Sequence, residues 1–345
     1  MTGDTSTGLA QVGYALTFSA LVVYVLALVA HCAEWAFGTR SGTGREAAAA
    51  SVRRDRVPTL AGAAAAGAPG APCPGGTGSV SGTGSVTGSA HPRPGSPRSD
   101  LSGRIGVALT LLGFALHLTG VGVRGFAAQR VPLANMYEFA SAGVLAVIGT
   151  YLALLARHRD RSLGLFVLLP ASLGLGLAVT VLYAEVDMLV PALQSYWLAI
   201  HVSAAVLCTG AFTLGAIASG LYLLRVRTQD AGPEPAAWRH VPGPAALDRL
   251  AHRTAAFVFP LWSFAIVAGA IWAESAWGRY WGWDPKETWA FITWVVYAAY
   301  LHARSTAGWK GRRAARVNLL GYGCFLFNFV GVNVFLPGLH SYAGI

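Results

Sequence analysis

The sequence contains little charge. Asp, Glu, Lys and Arg together make up 12% of its 345 residues, whereas 54% of the residues are hydrophobic. Charged residues make up roughly 25% of an average soluble domain, so this composition excludes a soluble globular fold. The apolar runs between the charged clusters have about the length, roughly 20 residues, that spans the hydrocarbon core of a bilayer. The sequence therefore predicts a multi-spanning membrane protein.

Eight such apolar runs are present, and they lack the alternation of polar and apolar residues that is typical of barrel strands. Backbone groups in lipid must form their hydrogen bonds within the segment, which favours helices. We therefore expect an all-α integral membrane protein, a helical bundle of about eight transmembrane helices. The runs cover residues 13–30, 105–123, 139–156, 162–183, 196–224, 254–273, 288–303 and 317–336.

Basic residues are scarce in every second connection between these runs. With the N-terminus outside, 21 of the 25 Lys and Arg residues fall in cytoplasmic segments, and the positive-inside rule favours this orientation. Topology then accounts for the net charge of +10, and we expect no nucleic-acid partner. Both termini and the connection 271–289 are expected on the extracytoplasmic face.

Cysteine is also scarce, and the four cysteines show no C-x-x-C spacing, so no dithiol chemistry is expected of this chain. Residues 38–103 are rich in Gly, Ala, Ser, Thr and Pro. They are too poor in large apolar residues to form a core, which predicts a disordered cytoplasmic linker. The expected organisation is a first transmembrane helix in residues 1–37, this linker, and a seven-helix unit in residues 104–345.

Tryptophan is dense in the tryptophan-rich connection, residues 271–289, which read I-W-A-E-S-A-W-G-R-Y-W-G-W-D-P-K-E-T-W. An interfacial aromatic belt explains single tryptophans. Five in nineteen residues predict instead an apolar platform suited to a planar aromatic ligand with a polar edge. The five are Trp272, Trp277, Trp281, Trp283 and Trp289.

The end of this connection has the pattern of a helix start. Asp284, Pro285 and Glu287 fit the N-cap, N1 and N3 positions of the seventh helix, which predicts a capping box. Such a cap stabilises the start of the helix, and it can also orient a ligand-binding surface. Arg279 and Lys286 are the basic residues of the connection, and they fit either a solubilising role or pairing with ligand carboxylates.

Two histidines are expected at the outer face beside this connection. His201 lies near the outer end of the fifth apolar run, and His340 lies just beyond the eighth. Imidazole is a good axial ligand for haem iron, and two imidazoles on opposite faces give a six-coordinate site. A buried hydrogen-bonding role is the alternative for each histidine. Their placement on both sides of the tryptophan-rich connection favours a non-covalently held haem between them.

Several sequence blocks resemble those of a known family. Residues 277–294, W-G-R-Y-W-G-W-D-P-K-E-T-W-A-F-I-T-W, resemble the "WWD" signature of haem-handling proteins in cytochrome c biogenesis. Four further blocks occur in the order found in the CcsA/ResC family, called CcsB in actinobacteria, which the whole pattern resembles. They are P-L-A-N-M-Y-E at 132–138, L-A-I-H-V-S at 198–203, Y-L-H-A-R at 300–304 and G-V-N-V-F-L-P-G-L-H-S-Y at 331–342.

This resemblance implies a subunit of the system II cytochrome c synthase, a haem-lyase complex of the bacterial cell membrane. Such a subunit carries haem in transit across the membrane and presents it to the C-x-x-C-H motif of an apocytochrome. The resemblance implies His201 and His340 as outer axial ligands and His302 as an inner haem histidine, with no catalytic side chain. The implied partners are a CcsB/ResB-type membrane subunit, apocytochrome c and a thioredoxin-like thiol reductant.

Helix length separates the inner and outer histidines. Asp284 and His302 are 18 residues apart, or about 27 Å along a helix, so one haem cannot contact both and two haem sites are expected. The second inner ligand would come from the partner subunit or from His31. Two other functions fit the sequence: a WWD-type haem transporter that loads a haem chaperone, or a haem b electron-transfer subunit.

Overall fold

The computed structural model describes residues 3–54, 97–158, 160–186, 195–306 and 308–340. These residues form helices and connections, with no strand in the described ranges. A 3₁₀ segment, Ala236–His240, precedes α6, and a π-helical turn, Phe327–Gly331, joins α8 to α9. The helices are α1 (Gly3–Arg54), α2 (Pro97–Ala128), α3 (Met136–His158), α4 (Gly164–Thr180), α5 (Tyr196–Ala231), α6 (Pro244–Trp277), α7 (Pro285–Ser305), α8 (Arg312–Leu326) and α9 (Val332–Phe335).

Six of the described helical stretches are long and apolar enough to cross a membrane. They are α1 over Thr5–Gly38, α2, α3, α5, α6, and the stretch Arg312–Phe335 that runs from α8 through α9. α4 has 17 residues, short of a full span, and α7 has 21 residues but carries charged residues at both ends. The expected all-α membrane bundle is therefore confirmed, and the expected number of eight spans is approximate.

The helices on either side of the expected linker extend into it. α1 continues to Arg54, and α2 begins at Pro97. The alanine run at 47–50 favours the first extension, because alanine has the highest intrinsic helix propensity. Residues 38–54 and 97–103 of the expected linker are thus helical. Residues 55–96 lie outside the described residues, and the disordered linker there stays a prediction.

α1 and α2 pack along a seam of small residues. An added Cβ on Gly113 of α2 would lie 2.7 Å from the Tyr24 ring, and one on Gly120 would lie 2.6 Å from Thr17 Oγ1. In lipid, helices associate through close backbone approach rather than through a hydrophobic driving force, and glycine permits that approach. This pair packs with α3 and α4 around one apolar core.

A second core lies among α5, α6, α7 and α8, and it is built on aromatic rings. The Phe212 ring centroid of α5 lies 4.5 Å from that of Tyr297 on α7 and 4.9 Å from that of Phe325 on α8. The Trp262 ring of α6 lies 5.7 Å from Phe212. Because Trp262 and Phe325 also line the cleft described below, this aromatic cluster forms the floor of that cleft.

Candidate functional site

A cleft opens where the tryptophan-rich connection meets the ends of α3, α5, α6 and α7 and the π-helical turn. It contains about 1110 Å³ of empty space, part of it continuous with the surroundings. His201 and His340, 139 positions apart in the sequence, both line this cleft.

His201 is held against α6 by its Nδ1 atom. The Nδ1–H donates to the carbonyl oxygen of Ala265 at 2.8 Å. A carbonyl oxygen only accepts, so Nδ1 carries the proton and Nε2 carries the lone pair. Gly269 permits this contact, because an added Cβ there would lie 2.7 Å from the imidazole. The α6 backbone thus sets the tautomer and ring orientation that coordination through Nε2 requires.

His340 is held in a corresponding way by a carboxylate. Its Nδ1 lies 2.8 Å from Oδ2 of Asp284, and the backbone N–H of Leu339 donates to Oδ1 of the same carboxylate at 2.8 Å. A Cβ on Gly338 would lie 2.8 Å from that Oδ1 atom, so glycine permits the close approach. The residues 338–340 are therefore bound to the start of α7, with Nδ1 of His340 as the donor.

Asp284 also caps α7, and the predicted capping box is confirmed. Oδ2 of Asp284 accepts from the backbone N–H of Lys286 at 3.2 Å, and Oε2 of Glu287 accepts from the backbone N–H of Asp284 at 3.1 Å. Pro285 occupies the first helical position. Burial alone would raise the pKa of Asp284, but the hydrogen bonds from His340 and Leu339 lower this pKa to about 2. The carboxylate is therefore ionised at neutral pH.

Trp272 contacts both histidines. Its side chain is 1% exposed, and its ring is nearly parallel to that of His201, with 6.1 Å between centroids and 13° between planes. The His340 ring meets Trp272 edge-on at 5.9 Å. Trp277 completes the group, with its ring 4.9 Å from Trp272 and 5.0 Å from His340. The two imidazoles thus share one aromatic wall.

The five tryptophans do not form the single platform that the sequence predicts. Trp272, Trp277 and Trp281 line the cleft, whereas Trp283 and Trp289 are not among its lining residues. Trp283 has a φ of 58° and is 66% exposed, and it meets Trp281 edge-on at 5.7 Å. Trp289 packs on Phe327 of the π-helical turn at 4.2 Å. The positive φ at Trp283 turns the backbone, and helix packing directs Trp289 to the π-helical turn.

The two basic residues of the connection have different environments. Nη1 of Arg279 lies 3.8 Å from Oε1 of Glu287, and Arg279 is not among the residues that line the cleft. Lys286 does line the cleft, and its ammonium donates to Oδ1 of Asn333 at 2.7 Å. Lys286 therefore lies in the cleft with the two histidines, whereas Arg279 lies beside the N-terminal cap of α7.

The inner histidines lie elsewhere. His302 is exposed in the last turn of α7, at the end opposite Asp284. His31 is buried with its Nδ1 atom 3.1 Å from Oε2 of Glu34. Added Cβ atoms on Gly106 and Gly164 would lie 2.9 Å and 2.7 Å from its ring, so two helix backbones enclose it. Neither histidine lines the cleft.

Sequence reasoning missed several parts of the cleft. Trp272 was expected only as one of five platform rings, and no signal distinguished Gly269 or Asn333. The P-L-A-N-M-Y-E block had no assigned role, yet its residues Leu133 to Met136 line the cleft. Glu138 holds this block, because its carboxylate accepts from the backbone N–H of Ala134 at 2.8 Å and from Nε of Arg124 at 2.8 Å.

The matches to known proteins cover the part of the chain that forms the cleft. The family model described as "Cytochrome C assembly protein" matches residues 133–340, a range that begins and ends on cleft-lining residues. The cytochrome c biogenesis protein CcsA of Synechococcus sp. (strain JA-3-3Ab) is 38% identical over 298 residues, which cover 70% of this chain and 84% of the relative.

Two further relatives are also CcsA proteins. CcsA of Guillardia theta is 36% identical over 258 residues, covering 69% of this chain and 85% of its own length. CcsA of Porphyra purpurea is 33% identical over 289 residues, covering 71% and 89%. With the helical membrane bundle and the two-histidine cleft, these matches show that the chain belongs to the CcsA family of cytochrome c biogenesis proteins.

Proposed function

We propose that this protein binds haem in the cleft, between His201 and His340, and presents it on the outer face of the membrane to apocytochrome c. The observation that carries the proposal is the arrangement of two imidazoles on one aromatic wall, each oriented by a hydrogen bond from Nδ1. Second-shell bonds of this kind orient metal-ligating histidines and raise their basicity. Membership of a cytochrome c biogenesis family supports haem as the ligand.

The chemistry of the cleft favours a metalloporphyrin over a bare metal ion. Within the described ranges, no group of three or more His, Cys, Asp or Glu side chains is placed to hold a metal ion. A porphyrin supplies four nitrogen ligands itself, so two imidazoles complete the coordination of its iron. The indoles of Trp272, Trp277 and Trp281 supply the apolar surface that a planar macrocycle needs.

The chain's contribution to attachment is positional. Each thioether forms when a cysteine S–H of the apocytochrome adds across a haem vinyl double bond, with the sulfur and the hydrogen ending on the two vinyl carbons. The thiols must be reduced, which is the role of a thioredoxin-like reductant. The two histidines hold the haem plane, and the apolar walls exclude water. Holding two reactants in a productive geometry accounts for several kcal/mol of barrier lowering, about 7–11 in the best cases.

Haem delivery requires a second, inner position, which we assign to His302. Its exposure on α7 leaves the imidazole accessible to a CcsB/ResB-type partner that supplies the other axial ligand. His31 is a poorer second ligand than a partner's histidine, because α2 and α4 glycine backbones enclose its ring. We infer from the distribution of Lys and Arg that both termini and the tryptophan-rich connection lie on the outer face.

Haem spectra of the purified protein test the proposal. The full chain would be purified with and without the partner subunit, and the Soret and α bands would report occupancy and axial ligation. The double variant His201→Ala/His340→Ala should lose most of the outer-site signal, whereas His158→Ala, an exposed histidine at the end of α3, should keep it. Unchanged bands in the double variant would rule out the outer haem site.

Haem transfer distinguishes this function from an electron-transfer role. A haem b electron-transfer subunit keeps its haem, whereas a biogenesis protein passes it on. Incubation of the haem-loaded protein and its partner with reduced apocytochrome should yield haem covalently bound to the apocytochrome. Haem that stays on the membrane protein under these conditions would favour the electron-transfer role.

A further inference from the structure

The cleft contains a cation that forms no direct ion pair with a carboxylate of the described residues, although the Asp284 carboxylate attracts it from a greater distance. Lys286 is partly buried in the cleft wall, and its ammonium donates to the neutral amide of Asn333 at 2.7 Å. The nearby carboxylates have other partners: Asp284 pairs with His340 at 2.8 Å, and Glu287, which also lines the cleft, lies 3.8 Å from Arg279. Removing an ammonium from water is costly unless an anion compensates for the lost hydration.

A second polar group on the same side of the cleft has an unsatisfied atom. Asn328 lines the cleft and is 6% exposed, and its Oδ1 atom has no hydrogen-bond partner among the described residues. It lies on the π-helical turn, a feature often found at functional sites. Asn333 connects this turn to Lys286, because Nδ2 of Asn333 donates to the carbonyl oxygen of Phe329 at 2.7 Å.

The other walls of the cleft are apolar apart from His201 and Asn135. Those contributed by α5 and α6 carry Leu198, Val202, Ala205, Ile266 and Ala270, together with the indoles. The cleft therefore has a polar side, at the start of α7 and the π-helical turn, and an apolar side. Such asymmetry suits a ligand with one anionic edge and one apolar edge.

We propose, on the basis of the haem-binding function above, that Lys286 binds the carboxylate edge of haem and so sets the orientation of the porphyrin in the cleft. The two propionates of haem lie on one edge of the macrocycle, and the two vinyl groups lie on the opposite edge. With the propionates at Lys286, the vinyl groups face away from the start of α7. Arg279 does not share this role, because it lies outside the cleft and next to Glu287.

Esterification of the carboxylates tests this orientation. Binding of ferric protoporphyrin IX and of its dimethyl ester to the purified full chain would be measured in the same detergent by quenching of tryptophan fluorescence. The wild-type protein should prefer the free acid by about tenfold or more, since a charge-assisted hydrogen bond is worth about 1.5–3 kcal/mol. Lys286→Gln should lose this preference while keeping the affinity for the ester, and Lys286→Arg should retain part of it.

Lys310→Gln is the matched control, because it removes an exposed lysine outside the cleft, and it should keep the wild-type preference. An unchanged free-acid preference in Lys286→Gln would overturn the proposal. An equal loss of affinity for both porphyrins would also overturn it, because Lys286 would then support the cleft rather than bind carboxylates. If the wild-type protein bound neither porphyrin, the haem-binding function itself would be wrong.

Discussion

Nδ1 of His340 lies 2.8 Å from Oδ2 of Asp284, and this contact joins two residues that are 56 positions apart in the sequence. It connects the last described residues of the chain to the start of α7. The same carboxylate accepts the backbone N–H of Leu339 and caps the helix. Asp284 is therefore the residue that orients His340, and we propose that His340 is the residue that coordinates iron.

Asp284→Asn should lower the affinity of the protein for haem by about 10–100-fold, the range found when a hydrogen-bond partner of a metal-ligating residue is removed. Haem occupancy should fall accordingly. An amide still caps α7, but it lacks the charge that orients His340 and supports its basicity. Haem content per protein and the position of the Soret band would be measured. Glu274→Gln, which alters an exposed carboxylate near the end of α6, is the control. Wild-type occupancy in Asp284→Asn would show that the carboxylate serves only the helix cap.

His201→Ala and His340→Ala should each block covalent attachment to an apocytochrome while leaving the protein level unchanged. Loss of one axial imidazole leaves the iron five-coordinate, but the lipid-facing packing of the helices is kept. Added imidazole should partly restore maturation, because it can occupy the vacated position. Full maturation and unaltered spectra in both variants would mean that the two histidines are structural.

His302→Ala should also impair maturation, but imidazole should rescue it less well than the two outer variants. The proposed partner subunit would cover the His302 imidazole, so a small polar ligand would reach it less easily than it reaches the open cleft. Maturation of a reporter cytochrome would be compared with and without imidazole for all three variants. Equal rescue of His302→Ala would argue against a separate inner site.

Gly269→Ala should disturb the site through His201 alone. The new Cβ would lie 2.7 Å from the imidazole, so the ring must move away from the Ala265 carbonyl. We expect a shifted Soret band and reduced haem content with normal protein level. Gly220→Ala, in α5, is the control because nothing lies within 4 Å of the added Cβ, and it should match the wild type. A normal spectrum for Gly269→Ala would show that the Ala265 contact is unimportant.

Reporter fusions test the expected sidedness. Fusions after Gly38 and after Arg312 should report a cytoplasmic location, and a fusion after Tyr342 should report an external one, because basic residues concentrate in cytoplasmic segments. Both alkaline phosphatase and a cytoplasmic fluorescent reporter would be used, so that each fusion gives one positive signal. A cytoplasmic location after Tyr342 would place His340 on the wrong face and refute the outer site.

Local features of the chain were readable from the sequence. Run length and low charge predicted the helical membrane bundle, because a lipid environment imposes both on any spanning segment. The capping box at Asp284 and Glu287 was equally predictable, since it joins residues three positions apart. The number of spans was less certain, because α4 and α7 fall short in length or in apolar character.

Only the tertiary structure decided which of these side chains share the cleft. It placed Lys286 in the cleft and Arg279 beside Glu287, and it divided the tryptophans between the cleft and other surfaces. It also placed Trp272 in contact with both histidines. The physical reason is that composition and spacing place a residue near one end of a helix, whereas the direction of its side chain depends on the rotation and packing of neighbouring helices that are distant in sequence.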